Sequence, residues 1–152
     1  MVKRVKIRLN DNKGISLLSL GIAILVMLII SSVLIYNSKN VINIKAFEDM
    51  KNDITQLDDR ILIYYSKYGV IPKLQEYTNI DMIKETKNPN DEGLYYVIDI
   101  NAIENLSLNL GKDFDKIAEN PDLTDVYIIN EKTHTIYYPR GVVIDGVTKY
   151  NL

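Results

Sequence analysis

Residues 15–36 read ISLLSLGIAILVMLIISSVLIY, an uncharged run directly behind the basic leader MVKRVKIRLNDNKG. Fourteen of these 22 residues are Leu, Ile or Val. As a helix the run is about 33 Å long, enough to cross a hydrocarbon core of roughly 30 Å. At about −0.3 to −0.6 kcal/mol for each such residue, insertion into a bilayer is favoured by roughly 4 to 8 kcal/mol, and four serines and Gly21 subtract little. The run therefore predicts a membrane-spanning helix.

Charge is divided unevenly around it. Residues 1–14 carry five basic residues (Lys3, Arg4, Lys6, Arg8 and Lys13) and one acid (Asp11), a balance of +4, while the rest carries 13 basic and 19 acidic residues, a balance of −6. Because positive charge is retained on the cytoplasmic side, this predicts a single-pass chain with its N-terminus inside and its long C-terminal part translocated. The 116 residues beyond the run (152 minus 36) suffice for one small domain. With no cysteine in the chain, that domain is expected to hold together by burial alone, without disulfides.

Past Tyr36 the polarity changes while a helical period continues. Phe47, Met50, Ile54, Leu57, Ile61, Tyr64 and Tyr68 recur at spacings of three and four and form one apolar stripe. Glu48, Asp49, Lys51, Asn52, Asp53, Asp58, Asp59 and Arg60 are read as the solvent-facing remainder. The run 61–65 also suits a strand, but no breaker interrupts the stripe there, and Gly69 with Pro72 supplies the stop. The prediction is one helix over 15–68, membrane-spanning over 15–36 and amphipathic over 37–68.

Residues 69–152 read as a compact extracytoplasmic α+β head. A short helix is expected around 79–86, a turn at 88–93 (NPNDEG), strands at 94–100 and 126–130, and a strand at 135–138 paired with the latter. Between them, Ile103, Leu106, Leu108 and Leu110 anchor an irregular segment, followed by a helical turn at 113–119. Strands at 142–144 and 147–150 flank Asp145-Gly146, a two-residue hairpin signal. The fold class is α+β: a long N-terminal helix laid on an antiparallel sheet of three to five strands.

Catalytic chemistry is poorly supplied. The chain has no Cys and no Trp, and its one histidine, His134, falls in an expected hairpin loop. No phosphate-binding loop, serine-hydrolase elbow, zinc-protease or dinucleotide motif occurs. The tyrosines at and beyond Tyr64 are assigned to core and sheet packing in preference to an adhesive surface. The acidic outer part lacks the electrostatic footprint of nucleic-acid binding. The expectation is a non-enzyme without cofactor, metal or direct nucleic-acid contact.

A basic leader ending in Gly14, followed by a hydrophobic helix beginning Ile15-Ser16-Leu17-Leu18, resembles the signal of type IV pilins and type II secretion pseudopilins. The closing stretch TIYYPRGVVIDGVTKY is similar to the C-terminal hairpins of pilin-like proteins from low-GC Gram-positive bacteria. The resemblance implies cleavage between Gly14 and Ile15 by a prepilin peptidase, N-methylation of Ile15 and a mature chain of 138 residues (152 minus 14). It implies assembly with other pilin-like subunits through the helix start, at Leu17, Leu18, Ser19 and Gly21, on a membrane assembly platform, into a pilus, competence or secretion filament. The chain departs from the family at Ser19, where a Glu is usual, and in having no Pro near the outer end of the membrane helix. A subunit with Ser19 can present its own terminal amine to a neighbour's Glu but cannot receive one, which suits a fibre tip; a branch of the family that neutralises the amine in another way is the alternative. Some pseudopilins hold calcium near their C-terminal loops; neither 88–93 nor 113–115 has EF-hand spacing, and turn chemistry and a helix start account for their oxygens. The competing reading of the whole chain is an uncleaved, monomeric membrane-anchored binding or sensor domain.

Overall fold

The structure is a computed structural model that describes the backbone of residues 12–152 and the side chains from residue 17. Helix α1 spans Asn12–Tyr68 and is followed by strands β1 (Lys73–Glu76), β2 (Tyr95–Ile98), β3 (Ile128–Asn130), β4 (Ile136–Tyr137), β5 (Val142–Ile144) and β6 (Val147–Lys149). This is the expected α+β class, one long N-terminal helix with a small antiparallel sheet. The chain divides into two compact units, one ending at Val41 and the other comprising Ile42–Leu152. The helix stops where Gly69 adopts φ 73° and donates its N–H to the Tyr65 carbonyl at 2.8 Å, a left-handed cap followed by Pro72.

Within the second unit, β1 to β4 form an antiparallel sheet in sequence order, with Tyr95 opposite Asn130, Val97 opposite Ile128 and Ile128 opposite Tyr137. Strand β1, KLQE, is too polar and short to signal itself and was not expected; β2 recruits it through a bulged pairing. The expected helix at 79–86 is reduced to a 3-10 turn, Asp81–Ile83, and the turn at 113–119 to another, Phe114–Lys116. The last hairpin forms as read: Asp145 and Gly146 have φ 49° and 77°, and β5 and β6 make a separate two-stranded sheet.

The sheet is covered on both faces, and strand alternation sorts its residues between them. Ile98, Ile129 and Ile136 join Met50, Ile54, Leu57 and Ile61 of α1, with Tyr127, Tyr138 and Val142, in one core. Tyr95, Val97, Ile128 and Tyr137 point the other way and pack with Tyr77, Ile83, Ile117 and Val126, supplied by loops. That second layer explains why the strands read as continuous apolar runs instead of alternating with polar residues. Of the α1 stripe, Met50, Ile54, Leu57 and Ile61 are buried, Phe47 and Tyr64 are half-buried, and Tyr68 is exposed.

One assignment is corrected. Asp53, read as solvent-facing, is fully buried. Its carboxylate accepts from the Asn109 amide at 2.9 Å, the Leu110 amide at 2.8 Å, the Asn109 side-chain amide at 3.0 Å and the Tyr127 hydroxyl at 3.0 Å. A carboxylate leaves water at large cost unless it is met by such donors. Asp53 therefore fastens α1 to the irregular 102–110 segment and to the residue preceding β3.

Candidate functional site

In the first unit, the helix from residue 17 onward presents apolar side chains that nothing covers. Every large apolar residue from Leu17 to Tyr36 is exposed, from 48% at Val26 to 72% at Leu17 and Met27. No charged residue interrupts this stretch. One of its hydroxyls turns back on the helix: Ser32 donates to the Ile29 carbonyl at 2.7 Å, as does Ser38, just beyond the stretch, to the Leu34 carbonyl at 2.8 Å. Such back-bonding satisfies a hydroxyl in a medium that offers no water. Among the described residues, one helix is long and apolar enough to cross a membrane, and this is it.

Of the residues expected to act in assembly, Leu17, Leu18 and Ser19 lie exposed at the start of this surface. A Cβ built on Gly21 meets nothing within 4 Å, so the chain's own packing does not demand a glycine there. The junction itself, Gly14 and Ile15, is helical in backbone, but its side chains lie outside the described residues, as does the leader over 1–11.

The second unit pairs its buried polar groups internally. Three carboxylate–tyrosine pairs fasten α1 and the loops to residues in or next to the sheet. Besides Asp53 with Tyr127, Asp125 accepts from the Tyr138 hydroxyl and from the Gly111 amide, each at 2.8 Å, and Asp91 accepts from Tyr137, Thr133 and, at 2.9 Å, Thr135. Burial pushes the Tyr127, Tyr137 and Tyr138 phenols well up, and the neighbouring carboxylates push them further. Tyr77 is pushed up to about 12 by burial and by the charge of Asp122. Asp91, from the 88–93 turn, is thus the centre of a buried hydrogen-bond cluster, and Asp113, from the other oxygen-rich segment, is paired with Lys116 at 2.8 Å.

Among the described residues, every buried side-chain polar atom has a partner, and no three His, Cys, Asp or Glu side chains gather as a metal site. His134 sits in the β3–β4 turn with φ 60° and packs edge-on against Tyr65, ring centroids 5.0 Å apart.

The charge of Asp53 points to solvent, whereas its period points to the core. It lies three residues after Met50 and four before Leu57, on the buried face. No protein-family model matches the chain, and the comparisons with curated proteins and with solved structures likewise return no match.

Proposed function

We propose that this chain is a pilin-like or pseudopilin subunit, held in the cytoplasmic membrane by residues 15–36 with its head outside, cut after Gly14, and packed helix against helix into a filament. Its role is structural, not catalytic. The observation that carries the reading is the uncovered apolar surface of α1 from Leu17 to Tyr36, on the same helix whose later stripe, Met50 to Ile61, is spent on the core of the head. A helix apolar on all sides is stable in lipid and equally stable among copies of itself, whereas a one-sided helix has only one apolar partner to satisfy. A tether requires only a span; a span that changes solvent from lipid to protein also needs release from its leader, and Gly14 stands at that boundary. The partners on this reading are other pilin-like subunits, a prepilin peptidase and a membrane assembly platform.

Intact-mass measurement of the chain from its own cells tests this. The expected mature form begins at Ile15 and carries one N-methyl group, and Gly14→Leu blocks the cut while leaving insertion intact. A chain still beginning at Met1 in cells that hold the peptidase overturns the proposal.

A further inference from the structure

A groove of 110 Å³ runs between the C-terminal end of α1 and the 102–105 loop, lined by Arg60, Ile63, Tyr64, Lys67, Tyr68 and Glu104. The Tyr64 and Tyr68 rings lie 4.5 Å apart, and the Lys67 ammonium sits 4.9 Å from the Tyr68 ring. Ile63 and Tyr68 are more than half exposed. Neither Arg60 nor Lys67 forms a salt bridge among the described residues, and Glu104 offsets only one of the two charges. Exposed aromatic rings beside an uncommitted arginine are the composition of an interface centre.

The lining of this groove is net positive on an acidic molecule. Residues 42–152 hold 12 basic and 19 acidic residues, a net of 12 − 19 = −7, so identical copies repel one another except where a local cation meets an acidic surface. An exposed acidic segment lies at the 115–122 loop: Asp115, Glu119 and Asp122 are exposed and form no salt bridge among the described residues, while Lys116 within it is held by Asp113. Groove and loop are different surfaces of one chain. A contact between them is head-to-tail, and a head-to-tail contact that does not close on itself generates an open filament.

We infer that the Arg60–Lys67 groove of one copy receives the acidic 115–122 loop of the next. This rests on the filament reading above and names the contact between heads within it. The absence of native cysteine makes site-specific cross-linking clean. In cells producing the full chain, co-expression of Lys67→Cys and Glu119→Cys copies is expected to give a cross-linked dimer on oxidation that neither variant gives alone. Arg60→Glu with Lys67→Glu is expected to lower the yield of sheared fibre on the order of tenfold, and adding Glu119→Lys with Asp122→Lys to the same chain to restore it.

A Lys67→Cys dimer formed without the Glu119→Cys copy means a symmetric contact and overturns the inference. So does protection of Lys67→Cys from a maleimide by polygalacturonate with no cross-link between copies, which assigns the groove to an acidic polymer. Wild-type fibre combined with absent cross-link and failed charge-swap rescue refutes this contact alone, whereas a wild-type chain that never leaves the membrane as polymer refutes the filament reading with it.

Discussion

Replacing Asp53 with Ala removes the acceptor for four hydrogen bonds, and the cost follows from who loses a partner. The Tyr127 hydroxyl is the worst placed: its residue is 1% exposed, and no water reaches it to replace the carboxylate. A buried donor left unsatisfied costs about 1 to 3 kcal/mol. The Asn109 and Leu110 amides belong to an exposed and a half-buried residue, so water recovers part of their loss, and about 0.5 to 1 kcal/mol remains for each. The relieved desolvation of the carboxylate works the other way. The net expectation is about 2 to 4 kcal/mol of destabilisation.

Tyr127→Phe leaves Asp53 three of its donors and costs about 1 to 1.5 kcal/mol. Because the two single changes break one shared bond, the double variant costs less than their sum by about 1 to 2 kcal/mol. The measurement is urea unfolding of residues 37–152, which contain both core clusters, followed by tyrosine fluorescence since the chain has no tryptophan. A loss under ~0.5 kcal/mol for Asp53→Ala, or strict additivity with Tyr127→Phe, refutes the burial of this carboxylate and the clamp built on it.

Three further outcomes are expected. Leu57→Ala, at the centre of the α1 stripe and fully buried, costs about 2 to 5 kcal/mol in the same unfolding experiment, and an unchanged midpoint places the stripe in solvent. Gly111→Ala combines a φ of 72° with a Cβ 2.6 Å from the Tyr127 ring, whereas Gly69→Ala has a φ of 73° and open space. The first should therefore lower the melting temperature clearly more than the second, which carries only the roughly 1 to 2 kcal/mol of left-handed strain. In alkali, the folded head keeps Tyr77, Tyr127, Tyr137 and Tyr138 neutral while the unfolded chain ionises them from its ordinary value of 10.0. Raised folded values mean that the stability these phenols contribute is complete below pH 10.0 and declines above it, approaching about 1.4 kcal/mol per pH unit for each group. Phenolate absorbance should then appear cooperatively with unfolding, and a gradual rise in a folded chain contradicts the buried pairs.

What could be read from the sequence was what repeats. The stripe at spacings of three and four, the uncharged run before it and the Asp145-Gly146 turn each depend on local geometry, and each appears where its period places it. Strand β1 was invisible because KLQE has no alternation of its own and is a strand only through its pairing with β2. The second core was invisible for a related reason: the loops that cover the far face of the sheet contribute isolated residues, Tyr77, Ile83 and Ile117, with no shared period. Asp53 is legible by position, but its charge argues for solvent. The Arg60–Lys67 groove required knowing which carboxylates lie near those cations, and that depends on how the 102–105 loop folds back onto α1.

The Asp53 clamp also bears on when the head can fold. Its acceptor is complete only when residues 109, 110 and 127 have arrived, the last of them 74 positions downstream. The stripe it belongs to is covered in part by Ile71, Ile98 and Ile103, and its cover is completed by Tyr127, Ile129, Ile136, Tyr138 and Val142, from the final fifth of the chain. A chain made from its N-terminus therefore leaves Met50, Ile54, Leu57 and Ile61 incompletely covered until nearly all of it has emerged. Closing so long a loop delays folding, because its entropy is lost before the contacts that offset it form. During that interval the stripe is a second adhesive surface on the nascent protein, besides the apolar run before it, and a holding factor that binds amphipathic helices can act there.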